Sequence, residues 1–295
     1  MRTATLFFLV LQGSAFSLFS NVVEISAEER KALLDIYEYT QGQEWNRVWD
    51  LDSPVSSWHG VLVRDHRVVG LNLFNNNLNG ILPESIGNLK YLEHLNLAFN
   101  TLTGVLPKDI AKLRRLRILK LEMNRFKGAL PEGIGELSYL EELSLFNNFL
   151  SGPIPESFGE LRQLKILNLS SNNLKGIIPK SFGNLTQLER LGLFENRLEG
   201  AIPSEMGQLS ELKELVLANN QLDGDIPQEF GQLANLEILQ IQNNRFDSYT
   251  GLRYMDANKL LVFDTDDATL KPYKAINLQK TRMADTKFED VDNNE

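Results

Sequence analysis

The acidic and imidazole side chains that could carry catalysis are few and lack the companion groups that catalysis needs. Glu122 and Glu142 could act as the carboxylate pair of a glycosidase, and His94 could transfer protons. No nucleophile or enclosing pocket is indicated beside them, and His59, His66 and His94 lack the spacing of metal ligands. The chain has no cysteine, which excludes disulfides and thiolate sites. We therefore predict no catalytic residue, no metal and no cofactor, and expect His94 to be a solvated surface residue.

Composition and charge narrow the classes of partner. The 295 residues are 42% hydrophobic and 23% charged, which is the balance of a folded soluble protein. The formal net charge is −9. Surfaces that bind nucleic-acid backbones or anionic membranes are basic, because they neutralise phosphates. The acidic balance therefore argues against both kinds of partner.

Three residue types recur in one frame along most of the chain, at intervals of 24 residues. The asparagines are Asn76, Asn100, Asn124, Asn148, Asn172, Asn196, Asn220 and Asn244. The glycines are Gly80, Gly104, Gly128, Gly152, Gly176, Gly200 and Gly224, and the prolines are Pro83, Pro107, Pro131, Pro155, Pro179, Pro203 and Pro227. A period of this length indicates a solenoid of stacked units.

Each position of the unit has a physical reason, as the stretch Leu92–Arg115 illustrates. Leu95 and Leu97 alternate with Asn96, the pattern of a short strand with one buried face. One unit cannot bury its leucines alone, whereas stacked units make a continuous core. Asn100 follows the strand, where its amide can bond backbone groups of its own turn and of the adjacent coil. We therefore predict an α/β solenoid with a concave parallel sheet and a structural asparagine ladder.

Side chains that flank the strand leucines face outward on the predicted concave sheet and are the candidate ligand-binding residues. The apolar members, which predict an exposed aromatic stripe, are Phe74, Phe99, Met123, Phe146 and Phe194. The charged and ionisable members are His94, Lys120, Glu122, Glu142, Arg190 and Glu195. Exposed aromatic clusters mark interfaces, but repeat drift with the rings packed on one another explains the stripe equally well. The mixed charges favour a polypeptide or a glycan over a polyanion.

Both ends of the predicted solenoid need caps, since bare ends would expose core and sheet edge. We assign 1–20 to a cleaved signal peptide, 21–67 to an N-terminal cap, 68–247 to the repeats, 248–270 to a C-terminal cap and 271–295 to an acidic tail. The tail has too little apolar content to order itself, and we expect it to be disordered.

The caps carry their own local signals. Ser26–Glu29 is a capping box that predicts the start of a helix. Trp45, Trp49 and Trp58 could form a platform for carbohydrate, but clustered tryptophans more often plug the end of a core, and we favour that interpretation. At the other end, Lys259–Phe263 is the predicted last strand.

The unit LxxLxLxxNxLxGxIPxxIGxLxx, over residues 68–247, resembles the plant-type leucine-rich repeat of receptor-like proteins and polygalacturonase inhibitors. The preceding stretch resembles their N-terminal cap, but Trp58–Val63 has no cysteine where their WxGVxC pattern has one. In this respect it is similar to Cys-free repeat proteins exported by bacteria and found in some protists. The resemblance implies a right-handed superhelix, with a second sheet or 3₁₀ turns on the convex arm. It also implies recognition of peptides, proteins or glycans, without naming a ligand.

These features favour a non-enzymatic extracellular binding module, secreted or at the cell surface, that recognises a protein or peptide through its concave face. A structural or adhesive surface protein, acting by self-association or glycan contact, is the alternative, and an intracellular scaffold is a lesser one. We expect no nucleic-acid partner and no transmembrane segment. The sequons at Asn168 and Asn184 would bear glycans only in a eukaryotic source. No oligomeric state follows from the sequence.

Overall fold

The computed structural model describes residues 25–256 and 259–267 of the chain. These residues include all of the repeats and the segments that cover their two ends. The predicted signal peptide at 1–20 and the predicted tail at 271–295 lie outside the described residues.

Helix α1 (Ala27–Tyr39) begins at the predicted capping box. The Ser26 hydroxyl accepts a hydrogen bond from the Glu29 backbone, and the Glu29 carboxylate accepts one from the Ser26 backbone, both at 3.2 Å. The same carboxylate also accepts from the backbone N–H of Val68 at 3.1 Å. Glu29 therefore fixes the start of the helix and ties it to the first repeat.

Short strands and single-turn helices follow helix α1 in a repeating order. The strands are β1 (Val61–Arg64), β2 (Arg67–Asn72), β3 (Asn79–Ile81), β4 (His94–Asn96), β5 (Thr101–Gly104), β6 (Ile118–Lys120), β7 (Arg125–Gly128), β8 (Glu142–Ser144), β9 (Phe149–Gly152), β10 (Ile166–Asn168), β11 (Asn173–Gly176), β12 (Arg190–Gly192), β13 (Arg197–Ala201), β14 (Glu214–Val216), β15 (Gln221–Asp223), β16 (Ile238–Gln240) and β17 (Val262–Asp264). The 3₁₀ helices are Gly42–Glu44, Val55–Ser57, Glu84–Asn88, Lys108–Lys112, Glu132–Glu136, Glu156–Glu160, Lys180–Asn184, Ser204–Gln208, Gln228–Gln232 and Thr250–Tyr254.

The described strands form two sheets on opposite arms of the coil. The concave sheet has the order β1-β2-β4-β6-β8-β10-β12-β14-β16-β17, and the second sheet has the order β15-β13-β11-β9-β7-β5-β3. Strands β1 and β2 pair antiparallel, and the other concave strands pair parallel with a register of one repeat, so that Leu95 pairs with both Leu71 and Leu119. The α/β solenoid predicted from the repeat is confirmed.

The core lies between the two sheets and runs the length of the solenoid. Leu95 and Leu97 of the concave strand and Leu102 of the return arm are fully buried, and the equivalent residues of the other units are buried with them. Phe158 and Phe182 fill the same layer in successive units. Because each coil covers the next, the period-24 pattern is the pattern of the core itself.

The return arm changes direction at the glycine and proline columns. Gly104 has φ of +84°, and a Cβ there would lie 3.1 Å from Cγ2 of Ile81 in the preceding unit. Pro107 has φ of −62° and stands directly before the 3₁₀ helix Lys108–Lys112. Proline cannot donate to a ladder, so the second-sheet strand ends before it and a turn begins.

The three tryptophans plug the N-terminal end of the core, as predicted. Trp45, Trp49 and Trp58 are 4%, 3% and 2% exposed. The Trp49 ring stacks on Trp58 with centroids 4.7 Å apart and meets the edge of Trp45 at 4.9 Å. Each indole N–H donates to a backbone carbonyl, so the cluster is well packed and its polar groups are satisfied.

The C-terminal strand is shorter than the predicted Lys259–Phe263. Strand β17 begins at Val262, where the chain pairs in register with Ile238 of β16. Lys259, which is 3₁₀-helical, and Leu260 lie before the strand, so the prediction placed its start too early. Leu252 and Phe263 are buried against the last repeat and cover that end of the core.

Candidate functional site

The concave sheet presents outward columns of side chains that stack one repeat apart. The parallel register aligns His94 with Ile118 and Glu142, and Asn96 with Lys120 and Ser144. Residues in one column therefore lie about 4.8 Å apart along the sheet, which is close enough for side chains of adjacent units to touch.

The asparagine column forms the predicted hydrogen-bonded ladder beneath the concave surface. In the unit of Asn148, Nδ2 donates to the carbonyls of Leu121 and Leu145 at 3.1 Å, and Oδ1 accepts from the backbone N–H of Phe126 at 3.0 Å. The carbonyl of Phe146 accepts a longer third bond at 3.4 Å. Each amide thus binds its own turn and the preceding coil, which holds the ends of the concave strands in place.

The residue before each ladder asparagine has a left-handed backbone, a feature that was not predicted. The members are Asn75, Phe99, Met123, Asn147, Ser171, Glu195, Asn219 and Asn243, with φ between 48° and 59°. This conformation is uncommon for bulky residues, but the Phe99 N–H donates to Glu122 O at 3.0 Å and holds it. Asparagine tolerates a left-handed backbone, so its abundance in this column could have predicted the conformation.

The N-terminal part of the concave face carries an aromatic pair. Phe74 and Phe99 pack with ring centroids 5.2 Å apart and an interplanar angle of 55°. Met123 follows Phe99 in the next unit, and its sulfur accepts from the Asn147 amide at 3.0 Å. These side chains are half-buried rather than exposed, because they cover one another along the sheet. They form a shallow apolar surface, not a row of free rings.

The C-terminal part carries a second apolar group that was not among the predicted site residues. Val216, Ile238 and Val262 are 6%, 6% and 2% exposed and form a cluster separate from the main core, with Phe194 packed against it. All lie on the concave side, since the strand leucines beside them fill the interior. The sequence could have predicted this group, because three strands that are neighbours in the sheet each carry an apolar residue in an outward column. Phe146 is half-buried between the two groups.

The centre of the face is charged. Lys120 Nζ lies 3.1 Å from Glu142 Oε1 on the adjacent strand. Glu122 lies in an outward column as predicted, but it is only 2% exposed, because neighbouring side chains cover it. Burial raises the pKa of Glu122, Ser144 and Lys120 act against that shift, and the nearby Glu142 adds to it.

The remaining predicted residues lie apart from this centre. His94 is exposed at the N-terminal side, and Arg190 is half-buried. Glu195 is exposed and accepts a hydrogen bond from the Ser171 hydroxyl at 2.9 Å. Within residues 25–256 and 259–267, no group of three or more acidic, histidine or cysteine residues is placed to hold a metal ion.

The two sequons differ in access. Asn168 is 8% exposed on the concave strand β10, and its Oδ1 accepts from the Ser170 backbone at 3.1 Å. Asn184 is half-buried at the end of the 3₁₀ helix Lys180–Asn184. A glycan attached to the buried Asn168 amide would require the side chain to leave the sheet.

An alternating charge column runs along the start of the concave strands. Its members, one repeat apart, are Glu93, Arg117, Glu141, Lys165, Glu189, Lys213 and Glu237. Glu141 bonds both neighbours, Arg117 through Nε at 2.7 Å and Lys165 through Nζ at 2.8 Å, and Lys213 lies 2.8 Å from Glu189. This column was not predicted, although the same period reveals it in the sequence.

Replacing Glu141 with glutamine should destabilise the protein by about 0.5–1 kcal/mol at neutral pH. Hydrogen bonds from Lys165 and Arg117 lower the pKa of Glu141, so its contribution is present above the ordinary carboxyl range and is lost as pH falls through the lowered pKa. Urea unfolding at neutral and acid pH, with and without salt, measures the difference. Glu132→Gln, at an exposed position outside the column, is the control. An equal effect of both variants would contradict the role of the column.

A cleft of about 1040 Å³ lies away from the concave sheet, between helix α1 and the first coil. Tyr37, Glu38, Gln41, Asn77 and Asn79 are among its lining residues. The cleft is mostly polar and brings together none of the predicted site residues. The described helices are all too short or too polar to cross a membrane.

Models of the leucine-rich repeat match three stretches of the chain. They cover residues 70–151, described as a leucine-rich repeat region, and residues 138–198 and 211–233, each described as a leucine-rich repeat. These stretches contain most of the concave columns and of the asparagine ladder.

Several solved structures are similar over most of the chain. The ectodomain of the Arabidopsis thaliana receptor kinase GASSHO1/SCHENGEN3, in complex with CASPARIAN STRIP INTEGRITY FACTOR 2, is 33% identical with a TM-score of 0.75, covering 80% of this chain and 29% of that one. The structure of PEPR1 with AtPEP1 is 30% identical with a TM-score of 0.71, covering 80% of this chain and 34% of that one. A Leptospira interrogans LRR protein is 37% identical with a TM-score of 0.54, covering 64% and 47%.

The chain therefore spans about a third of the length of the plant ectodomains that it matches. The likeness includes plant receptors and a bacterial protein, in keeping with plant-type repeats behind a cap without cysteine. The match of the repeat models, the period and the two-sheet coil agree, and the chain belongs to the leucine-rich-repeat family, with repeats of the plant type.

Proposed function

We propose that this protein is a non-enzymatic, extracellular binding module that holds an extended peptide segment across its concave sheet. The observation that carries the proposal is the separation of two apolar groups by a charged centre. Phe74 and Phe99 form one group, and Phe194 with Val216 and Ile238 forms the other. A surface of this kind can anchor a peptide at two points and orient it between them.

The spacing of the two groups defines the ligand further. Strands β2 and β12, which precede Phe74 and Phe194, are five steps apart in the sheet order. At about 4.8 Å per step the anchors lie about 24 Å apart. An extended peptide rises about 3.3 Å per residue, so two apolar side chains about seven residues apart would reach both groups.

Similar proteins support a peptide ligand and an extracellular location. GASSHO1/SCHENGEN3 is a plant membrane receptor kinase, and the related HAESA was solved with the peptide hormone IDA and the co-receptor SERK1. RGFR1, a plant peptide hormone receptor, was solved with RGF2. Since an exported chain meets such ligands outside the cell, we propose secretion or display at the cell surface, as the N-terminal sequence predicts.

Serine substitutions at Phe74, Phe146 and Phe194 together should weaken peptide binding at least about tenfold, because buried aromatic anchors dominate binding energy. Peptides are selected from a random displayed library against the intact chain, and their affinities are then measured on the variants. The matched control replaces Val105, Phe149 and Ile177, which are 60%, 57% and 55% exposed on the return arm, with serine. Thermal melting of each variant establishes that it is folded.

Equal affinity of the concave variant and the unmodified protein would contradict binding at the concave face. Loss of affinity in the control variant alone would move the site to the return arm. That arm favours the second candidate function, a surface protein that associates with itself, because Ile81, Val105 and Ile177 form an exposed apolar column there. Self-association that depends on concentration and disappears in the control variant would support this alternative.

A further inference from the structure

A buried carboxylate on the concave face is only partly satisfied by the described residues around it. Glu122 is 2% exposed, and no described residue makes a hydrogen bond to its Oε2. Its neighbour Leu121 is fully buried in the core, so the alternation of the chain directs Glu122 to the concave side. Buried charged groups are ordinarily paired or ligated, because leaving them alone is unfavourable.

The basic groups around Glu122 are too few to pair with both of the carboxylates that lie there. Lys120, at the end of strand β6 and two residues before Glu122, lies 3.1 Å from Glu142 of strand β8 and is engaged by it. On the preceding strand the nearest outward residues are Asn96 and Ala98, which carry no charge. Two carboxylates therefore share a single ammonium group, within a half-buried setting where electrostatic interactions are stronger than in water.

We propose that Glu122, Glu142 and Lys120 form a subsite for the basic side chain, arginine or lysine, of the bound peptide. The inference rests on the proposed function and adds the chemical class of one ligand residue. An incoming cation would supply the missing partner of Glu122, and an arginine could bond both carboxylates through its planar fork. Phe146 and Met123, half-buried beside the cluster, would pack against the aliphatic part of that side chain.

The charge of the described part of the concave face favours the same ligand. In the outward columns up to Asp264, the acidic residues are Glu122, Glu142, Glu195, Glu214 and Asp264, and the basic residues are Lys120 and Arg190. The alternating charge column at the start of the strands adds four acidic and three basic residues, so the excess of negative charge remains. Charge complementarity increases the association rate of a cationic peptide and disfavours an anionic one. A basic residue placed between two apolar anchors would therefore match the face in both chemistry and position.

Proton binding should couple to this interaction. Burial raises the pKa of Glu122, while Ser144 and Lys120 oppose the shift and Glu142 reinforces it. A cation favours the ionised carboxylate, so a peptide that binds it displaces the proton. Affinity should rise with pH from the ordinary carboxyl range up through the raised pKa, and then level off.

The test uses the intact chain, peptides selected from a random displayed library, and the variants Glu122→Gln and Glu199→Gln. Both substitutions remove one negative charge, but Glu199 is exposed on strand β13 of the second sheet, away from the concave face. We expect the selected peptides to contain a basic residue, and Glu122→Gln to weaken them at least about tenfold. Glu199→Gln should change affinity by less than about threefold. Replacing the basic residue of the peptide with norleucine should abolish the difference between Glu122→Gln and the unmodified protein.

Glu122→Gln removes a buried charge and should melt no lower than the unmodified protein at neutral pH, so a loss of binding is separable from unfolding. If peptides are selected but bind Glu122→Gln normally, or need no basic residue, the subsite is refuted and the proposed function stands. If no peptide is enriched, the proposed function fails and the subsite fails with it. A pH dependence that persists in Glu122→Gln would also overturn the assignment.

Discussion

Leucine in place of Asn148 should lower the free energy of unfolding by about 3–5 kcal/mol, although the residue touches no ligand. The substitution removes the donor to the Leu121 and Leu145 carbonyls and the acceptor for the Phe126 N–H. These backbone groups lie inside the coil, where water cannot replace the lost bonds. Because the amide joins two coils, the loss falls on the interface between repeats.

Urea unfolding followed by circular dichroism measures the effect of this substitution. Asn88→Leu makes the same chemical change at an exposed position of a 3₁₀ helix and should alter stability by less than about 0.5 kcal/mol. A melting temperature of Asn148→Leu equal to that of the unmodified protein would contradict the ladder as a source of stability.

Alanine at Trp49 should destabilise the protein by about 3–5 kcal/mol, the range for truncation of a large buried aromatic residue. The indole is 3% exposed, stacks on Trp58, meets Trp45 edge-on and donates to the His59 carbonyl at 2.8 Å. Its removal would open a cavity at the end of the core, and unfolding should begin from the first repeats.

The same variant distinguishes a structural plug from a ligand platform. Peptide affinity, measured at a temperature where Trp49→Ala is folded, should remain within about threefold of the unmodified value, since a plug makes no ligand contact. Hydrogen exchange should show the loss of protection concentrated in the N-terminal coils. Trp58→Phe keeps an aromatic ring in the stack and should be the milder substitution. Loss of peptide binding in folded Trp49→Ala would restore the platform interpretation.

The features that could be predicted from the sequence are those that recur in every repeat. Asn100 and Gly104 recur in one frame, so a physical reason found for one unit holds for all of them. The capping box at Ser26 and the tryptophan plug were also accessible, because each depends on short-range pattern or on a strong preference for burial.

The features that could not be predicted depend on which side chains meet across adjacent units. Glu122 is buried because its neighbours one repeat away cover it, which no single unit specifies. Phe194 packs on a cluster that includes Val216 and Val262, which come from strands β14 and β17. The left-handed backbone of Phe99 is likewise imposed by bonds between coils, against its own preference. To predict such contacts, the outward residues of adjacent units must be compared with each other, in addition to identifying the core positions.

The alternating charge column also restricts how the chain can gain or lose length. Removing residues 105–128 would leave one fewer unit and set Glu93 beside Glu141, so two like charges would face each other where opposite charges stood. Removing residues 105–152 instead sets Glu93 beside Lys165, and the alternation survives. The charge pattern of the solenoid repeats every two units. Insertion or deletion of two units at a time therefore preserves the alternation of charge, whereas insertion or deletion of a single unit breaks it.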